Sequence, residues 1–206
     1  LYCLSGMDAP TAGDVRYRGS SITGLRERDM AELRAQRFGF VFQQAHLVSN
    51  LTLFENVAVP GYLKAGRSAA DTRAVAQAFV ERMGLDADAH HLPSQASGGQ
   101  QQRCAVARSV VNDPDIVFAD EPTGALNRAN TLEVLSLLCE LNGSGQSICM
   151  VTHDVLCALR ANRVLYLEDG SIKGELELPA FRGDGGGAYL KARDAQVNAW
   201  LSSLAW

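Results

Sequence analysis

Residues 116–121 read Ile-Val-Phe-Ala-Asp-Glu, four apolar residues followed by two adjacent carboxylates, Asp120 and Glu121. So short an apolar run predicts a strand buried on both faces. Its carboxyl end then carries the acidic pair, and that is the end where ligands bind in open α/β sheets. There Asp120 can hold a magnesium ion while Glu121 polarises a water, the two tasks of a nucleotide-hydrolysing site. Taken alone, the same residues equally describe a structural turn, so the flanking sequence has to decide.

Working outward, residues 38–42 (Phe-Gly-Phe-Val-Phe) form another compact apolar run and lead into Gln43. Residues 147–152 (Ser-Ile-Cys-Met-Val-Thr) form a third and lead into His153, and a fourth apolar run covers 164–167. Between them lie helical patterns, one through Arg108 after Ser97-Gly98-Gly99 and one over 130–141 closed by Asn142 and Gly143. Strands alternating with helices imply parallel β-α-β units. Upstream, residues 13–19 alternate as a half-buried strand and 26–36 as a short charged helix. From Gln43 to about Pro93 the texture is helical, with a helix over 69–83 that Gly84 ends. Residues 168–171 read as a hairpin turn into 172–178. Residues 183–187 read as a hinge before an amphipathic stretch, 188–204, that precedes Trp206 and is expected to pack on the sheet.

Ser97, Gly98, Gly99 and Gln100 stand directly before a helix. A helix start leaves backbone N–H groups unpaired at the positive end of the dipole, which suits phosphate. The same residues also describe a serine N-cap with two turn glycines.

Composition narrows the classes. The 206 residues are 47% hydrophobic and 20% charged, an ordinary globular balance. With 19 basic against 23 acidic residues, and Lys64, Lys173 and Lys191 as the lysines, no basic tract supports nucleic-acid binding by charge. The 5 cysteines show no C-x-x-C spacing, which fits a reducing setting rather than a disulfide frame or zinc site. No apolar stretch approaches the roughly 18 residues of a membrane span, so a membrane role is expected through a partner. His46, His90 and His91 read as loop residues, and Cys104 and Cys149 as core fillers.

The ordered set resembles the ATP-binding-cassette (ABC) ATPase family over nearly the whole chain. Residues 39–43 resemble its Q-loop and 96–100 its signature motif. Residues 116–121 resemble its Walker B strand with the following glutamate, 124–127 its D-loop, and His153 its switch histidine. The resemblance implies a P-loop NTPase-like α/β sheet flanked by helices, with an inserted helical subdomain and a small antiparallel β part. It implies ATP and Mg2+ as ligands, with Gln43 near the metal and attacking water, Asp120 on the metal, Glu121 as general base and His153 on the γ-phosphate. Ser97, Gly98 and Gly99 would contact ATP held by a second ATPase subunit in a head-to-tail dimer, and Gln100 and Asn127 are further ATP-binding residues.

Residues 40–43, 51–57 and 120–124 further resemble the lipoprotein-release, macrolide-export and antimicrobial-peptide-resistance branch. On that likeness the chain is a nucleotide-binding subunit driving a membrane permease, peripheral at the cytoplasmic face of the plasma membrane. The permease is expected on residues 44–60, whose Leu47, Leu51, Leu53, Phe54 and Val57 look too apolar for a solvated loop. Residues 1–206 read as one ABC ATPase domain, with 44–97 its helical subdomain and 184–206 a C-terminal tail.

Ala96 stands where the family's signature has Leu, and Asn127 where its D-loop has Asp. No G-x-x-x-x-G-K-[ST] loop occurs in the 206 residues, and residues 1–13 resemble the family's segment just downstream of that loop. The expectation is therefore a domain lacking its N-terminal strands and Walker A loop, inactive by itself. The alternatives are a non-catalytic remnant, or a non-transport ABC ATPase of DNA repair or translation.

Overall fold

Three apolar runs line up as a parallel sheet in the computed structural model, which describes residues 1–183 and 186–204. The strands are β3 (Phe38–Val41), β4 (Ile116–Asp120) and β5 (Ser147–Val151), preceded in the chain by the hairpin β1 (Arg16–Tyr17) and β2 (Ser20–Ser21). Their order is β3-β4-β5, with Phe38 beside Ile116 and Ile116 beside Ser147. The chain divides into two units, Leu1–Thr152 and His153–Trp206, and the parallel sheet belongs to the first.

Residues 13–19 yield only two strand residues. Arg18 (φ 49°) and Gly19 (φ 82°) turn the chain at once, and such a pair of left-handed residues closes a two-residue hairpin. Helix α1 (Glu27–Arg37) comes next, with Glu27 and Asp29 in its first turn and Arg34 and Arg37 in its last, which complements the helix dipole. Its buried Met30 joins Ile22, Phe38 and Phe118 in a core where the Phe38 and Phe118 rings meet edge to face, 5.3 Å apart.

The expected helical region holds α2 (Leu53–Gly61) and α3 (Ala69–Arg82). Helix α2 opens with a capping box: Thr52 Oγ1 accepts from Glu55 N–H, and the Glu55 carboxylate accepts from Thr52 N–H. Helix α3 is capped by Ser68 and ends before Gly84, whose φ of 63° stops it. The apolar set expected on the surface is divided by this packing. Leu53 and Val57 are fully buried, because α2 must cover its apolar stripe against α3 and against α4 (Gly98–Val110). The large apolar side chains left exposed nearby are Val48, Val59, Tyr62 and Leu63.

Helix α4 passes so close over β3 that a methyl group on Gly39 would lie 2.2 Å from the Ser109 carbonyl oxygen. Cys104 is buried on α4, donates to the Leu53 carbonyl (3.3 Å), and its thiol is pushed up to about 12 by burial. Helix α5 (Arg128–Gly143) returns the chain from β4 to β5 and buries Val134, Leu135, Leu138 and Leu141.

In the second unit, the short α6 (Val155–Ala158) precedes β6 (Arg163–Glu168) and β7 (Ser171–Glu177), an antiparallel hairpin turned by Asp169 and Gly170. The run at 164–167, read with the parallel set, therefore pairs elsewhere. Residues 152–162 join β5 to β6 with a helix of only 4 residues, whereas a parallel crossover usually carries a full helix across the sheet. Helix α7 (Gly186–Ser203) lays Val197 and Leu201 on the hairpin, in one cluster with Leu159 and Leu178. Arg193, 3% exposed, donates to the carbonyls of Leu159, Pro179 and Ala161. Residues 184–185 of the expected hinge, and Trp206, lie outside the described residues. Among the described residues no helix is long and apolar enough to cross a membrane.

Candidate functional site

Strand β4 ends at Asp120, and Tyr2 donates its hydroxyl to Asp120 Oδ2 at 2.7 Å. That bond raises the Tyr2 pKa above its ordinary value, since ionising the phenol would break it and set two negative charges together. Glu121 leaves the strand with φ 46°, a left-handed conformation uncommon outside glycine. Its backbone is held on both sides: Glu121 N–H donates to the Val151 carbonyl (2.9 Å), and Gly124 N–H donates to the Glu121 carbonyl (3.0 Å). Glu121 Oε2 accepts from the Thr152 hydroxyl at 3.2 Å. The end of β5 thus reaches the carboxylate expected to act as base, and His153 is the next residue in the chain, exposed, at the start of the second unit.

Gln43 lies two residues beyond β3 and is exposed. Its side chain lies on Gly124, where a methyl group would stand 2.9 Å from Gln43 Nε2. The fold therefore brings Gln43 to the turn after Asp120 and Glu121.

Ser97 caps α4 in a reciprocal box: its Oγ accepts from Gln100 N–H (3.3 Å), and Gln100 Oε1 accepts from Ser97 N–H (2.7 Å). Gln100 also donates to Asp88 Oδ2 at 2.6 Å. A Cβ on Gly98 would make ordinary contact with Leu126 at 3.9 Å, whereas Gly99 is buried against Asn130, 2.6 Å from where a Cβ would be. Asn127 caps α5 by accepting from Asn130 N–H (3.0 Å). The starts of α4 and α5 consequently lie side by side, each with unpaired N–H groups and a positive dipole end, the chemistry that attracts phosphate.

The fit to magnesium rests on donor chemistry. Among the described residues no group of three or more His, Cys, Asp or Glu gathers into a metal cage. Magnesium is commonly held by one or two carboxylates together with substrate phosphates and water. A carboxylate at a strand end, as Asp120 offers, fits that mode.

Several contacts around these residues escape sequence reasoning. Gln102, 2% exposed, donates to the Phe42 carbonyl (2.8 Å), immediately before Gln43. Arg108 donates to the carbonyls of His46 (2.8 Å) and Ala45 (2.6 Å), and burial lowers its pKa from the ordinary arginine value. The available signal was an amide on the stripe of α4 that also carries Ala105, Val106 and Ser109, where an unpaired polar group would be costly.

The sequence pattern described as ABC transporter matches residues 1–124. The chain belongs to the ABC transporter family. It is similar to the macrolide export ATP-binding/permease protein MacB of Hyphomonas neptunium, 43% identical over 169 residues, which are 82% of this chain and 26% of that protein. With MacB of Bradyrhizobium diazoefficiens it is 44% identical over 172 residues, 84% of this chain and again 26% of the relative. The chain thus spans about a quarter of the length of these curated relatives. Two solved structures of the ABC cassette MJ0796 superpose with TM-scores of 0.79 and 0.78 at 36% identity, covering 87% of this chain and 79% of theirs. Both are described as dimeric, and one is a post-hydrolysis state bound to ADP and Pi. The α/β ABC ATPase fold and the macrolide-export branch expected from residues 40–43, 51–57 and 120–124 agree with these relatives.

Proposed function

We propose that this chain is the nucleotide-binding part of an ABC exporter, coupling ATP binding and hydrolysis to a membrane permease. The observation that carries the reading is the convergence at the end of β4. Asp120 and Glu121 stand there, Gln43 rests on Gly124, and the Thr152 hydroxyl bonds Glu121. Glu121 takes the proton of the attacking water, a task for a positioned carboxylate. Asp120 and Gln43 offer oxygen donors toward Mg2+, which when bound would neutralise charge on the phosphoryl oxygens. His153 serves the γ-phosphate.

Ser97, Gly98, Gly99, Gln100 and Asn127 address the nucleotide of a second copy arranged head to tail. The adjacent starts of α4 and α5 support this reading, as does the dimeric form of MJ0796. Residues 44–97 work as the helical subdomain, and residues 184–206 as a tail whose described part braces the β6–β7 hairpin. The partner permease sits in the membrane and this chain lies peripherally on its cytoplasmic face.

Residues 1–206 contain no G-x-x-x-x-G-K-[ST] sequence, whose backbone cradle and lysine hold the phosphates in P-loop enzymes. Taken by themselves these residues should bind nucleotide weakly and turn none over. The test is ATP hydrolysis by the protein as its gene encodes it, in vesicles with its permease. Magnesium-dependent turnover that Glu121→Gln abolishes, with ATP binding retained, is the expected result. No turnover, or full turnover in Glu121→Gln, overturns the reading.

A further inference from the structure

Between Gln43 and the end of α2 the chain must leave the sheet and cross α4, and the crossing is fastened at specific atoms. Gln102 Nε2 donates to the carbonyl of Phe42, one residue before Gln43. Arg108 spans the carbonyls of Ala45 and His46, two and three residues after it. These two side chains are six residues apart on α4, so one rigid helix grips the loop on both sides of Gln43. The loop is folded back on itself between the grips. His46 has φ 44°, and its ring meets Phe42 at 5.7 Å and 70°. Gln43 itself is exposed, with its side chain along Gly124.

We propose that Gln102 and Arg108 are positioning residues for Gln43: they fix the backbone from which its carboxamide reaches the nucleotide. This rests on the function proposed above. Each chemical detail suits the task. A buried glutamine amide can offer its N–H to Phe42 without bringing a charge beside the site. A guanidinium presents a planar fork of donors that bridges neighbouring carbonyls, a geometry that an ammonium point charge does not reproduce. Because Ser97 caps the same α4, the loop carrying Gln43 and the serine expected at the second nucleotide are attached to one rod, about 20 Å long at 1.5 Å per residue.

The test is a double-mutant cycle on ATP turnover by the gene-encoded protein with its permease. Arg108→Gln and Gln102→Met should each lower kcat roughly tenfold to a hundredfold, the cost of a small misplacement at a reacting centre. KM for ATP should change less than about twofold. Arg108→Lys, which keeps the charge but not the fork, should recover only part of the loss. In a Gln43→Ala background, Arg108→Gln should cost nothing further, because residues acting through one another are non-additive. A purely structural arginine would instead give additive losses, and additivity overturns the proposal. Full turnover in Gln43→Ala overturns the role given to Gln43 and this proposal with it. Absent turnover in the unmodified protein overturns the proposed function first. Should Arg108→Gln fail to fold, Arg108→Lys and Gln102→Met complete the same cycle.

Discussion

The side chain of Gln43 lies against the bare Cα of Gly124, so closely that a methyl group there would come within 2.9 Å of its amide nitrogen. The contact joins the loop after β3 to the turn after β4. Such a methyl group would meet the tip of a flexible side chain, which can move at little cost. Gly124→Ala should therefore change stability by less than about 1 kcal/mol, under about 4 °C in melting temperature. It should nevertheless displace Gln43 and lower kcat about tenfold. Steady-state kinetics and a thermal melt on the same preparation check both halves.

How much of this was legible in the sequence depends on the range of each interaction. Runs such as 38–42 and 116–120 announce strands because apolarity and flanking turn residues are local properties. Helix α4 likewise announces itself through Ser97 and the glycines. The order Gln43, Ser97, Asp120, Glu121, His153 was readable as motifs. Unreadable were the contacts that hold them: Gln102 meets Phe42 across 60 residues of sequence, and Tyr2 meets Asp120 across 118. The left-handed backbone of Glu121 was hidden too, since nothing local requires it. Within the apolar set at 47–57, hydrophobicity marks burial without saying whether core or partner supplies it, and α3 and α4 take Leu53 and Val57 into the core.

Gly39 tests the sheet packing. A Cβ there would stand 2.2 Å from the backbone oxygen of Ser109, which cannot yield unless α4 moves. Gly39→Ala should cost about 1–3 kcal/mol, as overpacking does, and lower the melting temperature by roughly 2–12 °C. Gly143, at the end of α5 with nothing within 4 Å, is the control. Gly143→Ala should stabilise by about 0.4–1 kcal/mol, through the unfolded chain.

Cys104 ties stability to alkaline pH. Burial pushes its thiol up to about 12, while in the unfolded chain it ionises near 8.5. The folded state keeps its proton where the unfolded state loses it. The stabilisation is therefore complete below about pH 8.5 and is lost progressively as pH rises toward 12, at most about 1.4 kcal/mol per pH unit. Urea unfolding between pH 7.5 and 10 should show this slope, and Cys104→Ala should flatten it. A thiol reagent at pH 8 should label the exposed Cys3 promptly and Cys104 only on unfolding.

The proposed permease contact can be mapped by cross-linking. With Leu53 and Val57 in the core, the surface near residues 44–63 is carried by Val48, Val59, Tyr62 and Leu63, which is 64% exposed. Thr52 is unsuitable as a probe because it caps α2. Cysteines placed at the exposed Ser49 and Tyr62 should cross-link to the permease in vesicles. Cross-links arising only from residues 188–204 would move the contact to α7.

Asn127 separates a cap from a charge. Its side-chain oxygen accepts from Asn130 N–H at 3.0 Å and starts α5, whose Asn130 fills the space beside Gly99. Removing the oxygen in Asn127→Ala should cost about 0.5–2 kcal/mol. Asn127→Asp keeps the oxygen and adds a negative charge at the positive end of the helix, worth about 0.3–1 kcal/mol in favour of folding at low salt. The melting temperatures should thus rank Asp above Asn above Ala, and the gain of the Asp variant should shrink as salt is raised. If Asn127 also addresses a nucleotide on a second copy, the two variants will part from this order in turnover. The added carboxylate faces phosphate oxygens and should raise KM for ATP, even as it stabilises the fold. A KM that tracks the melting temperature instead would leave Asn127 as a helix cap alone.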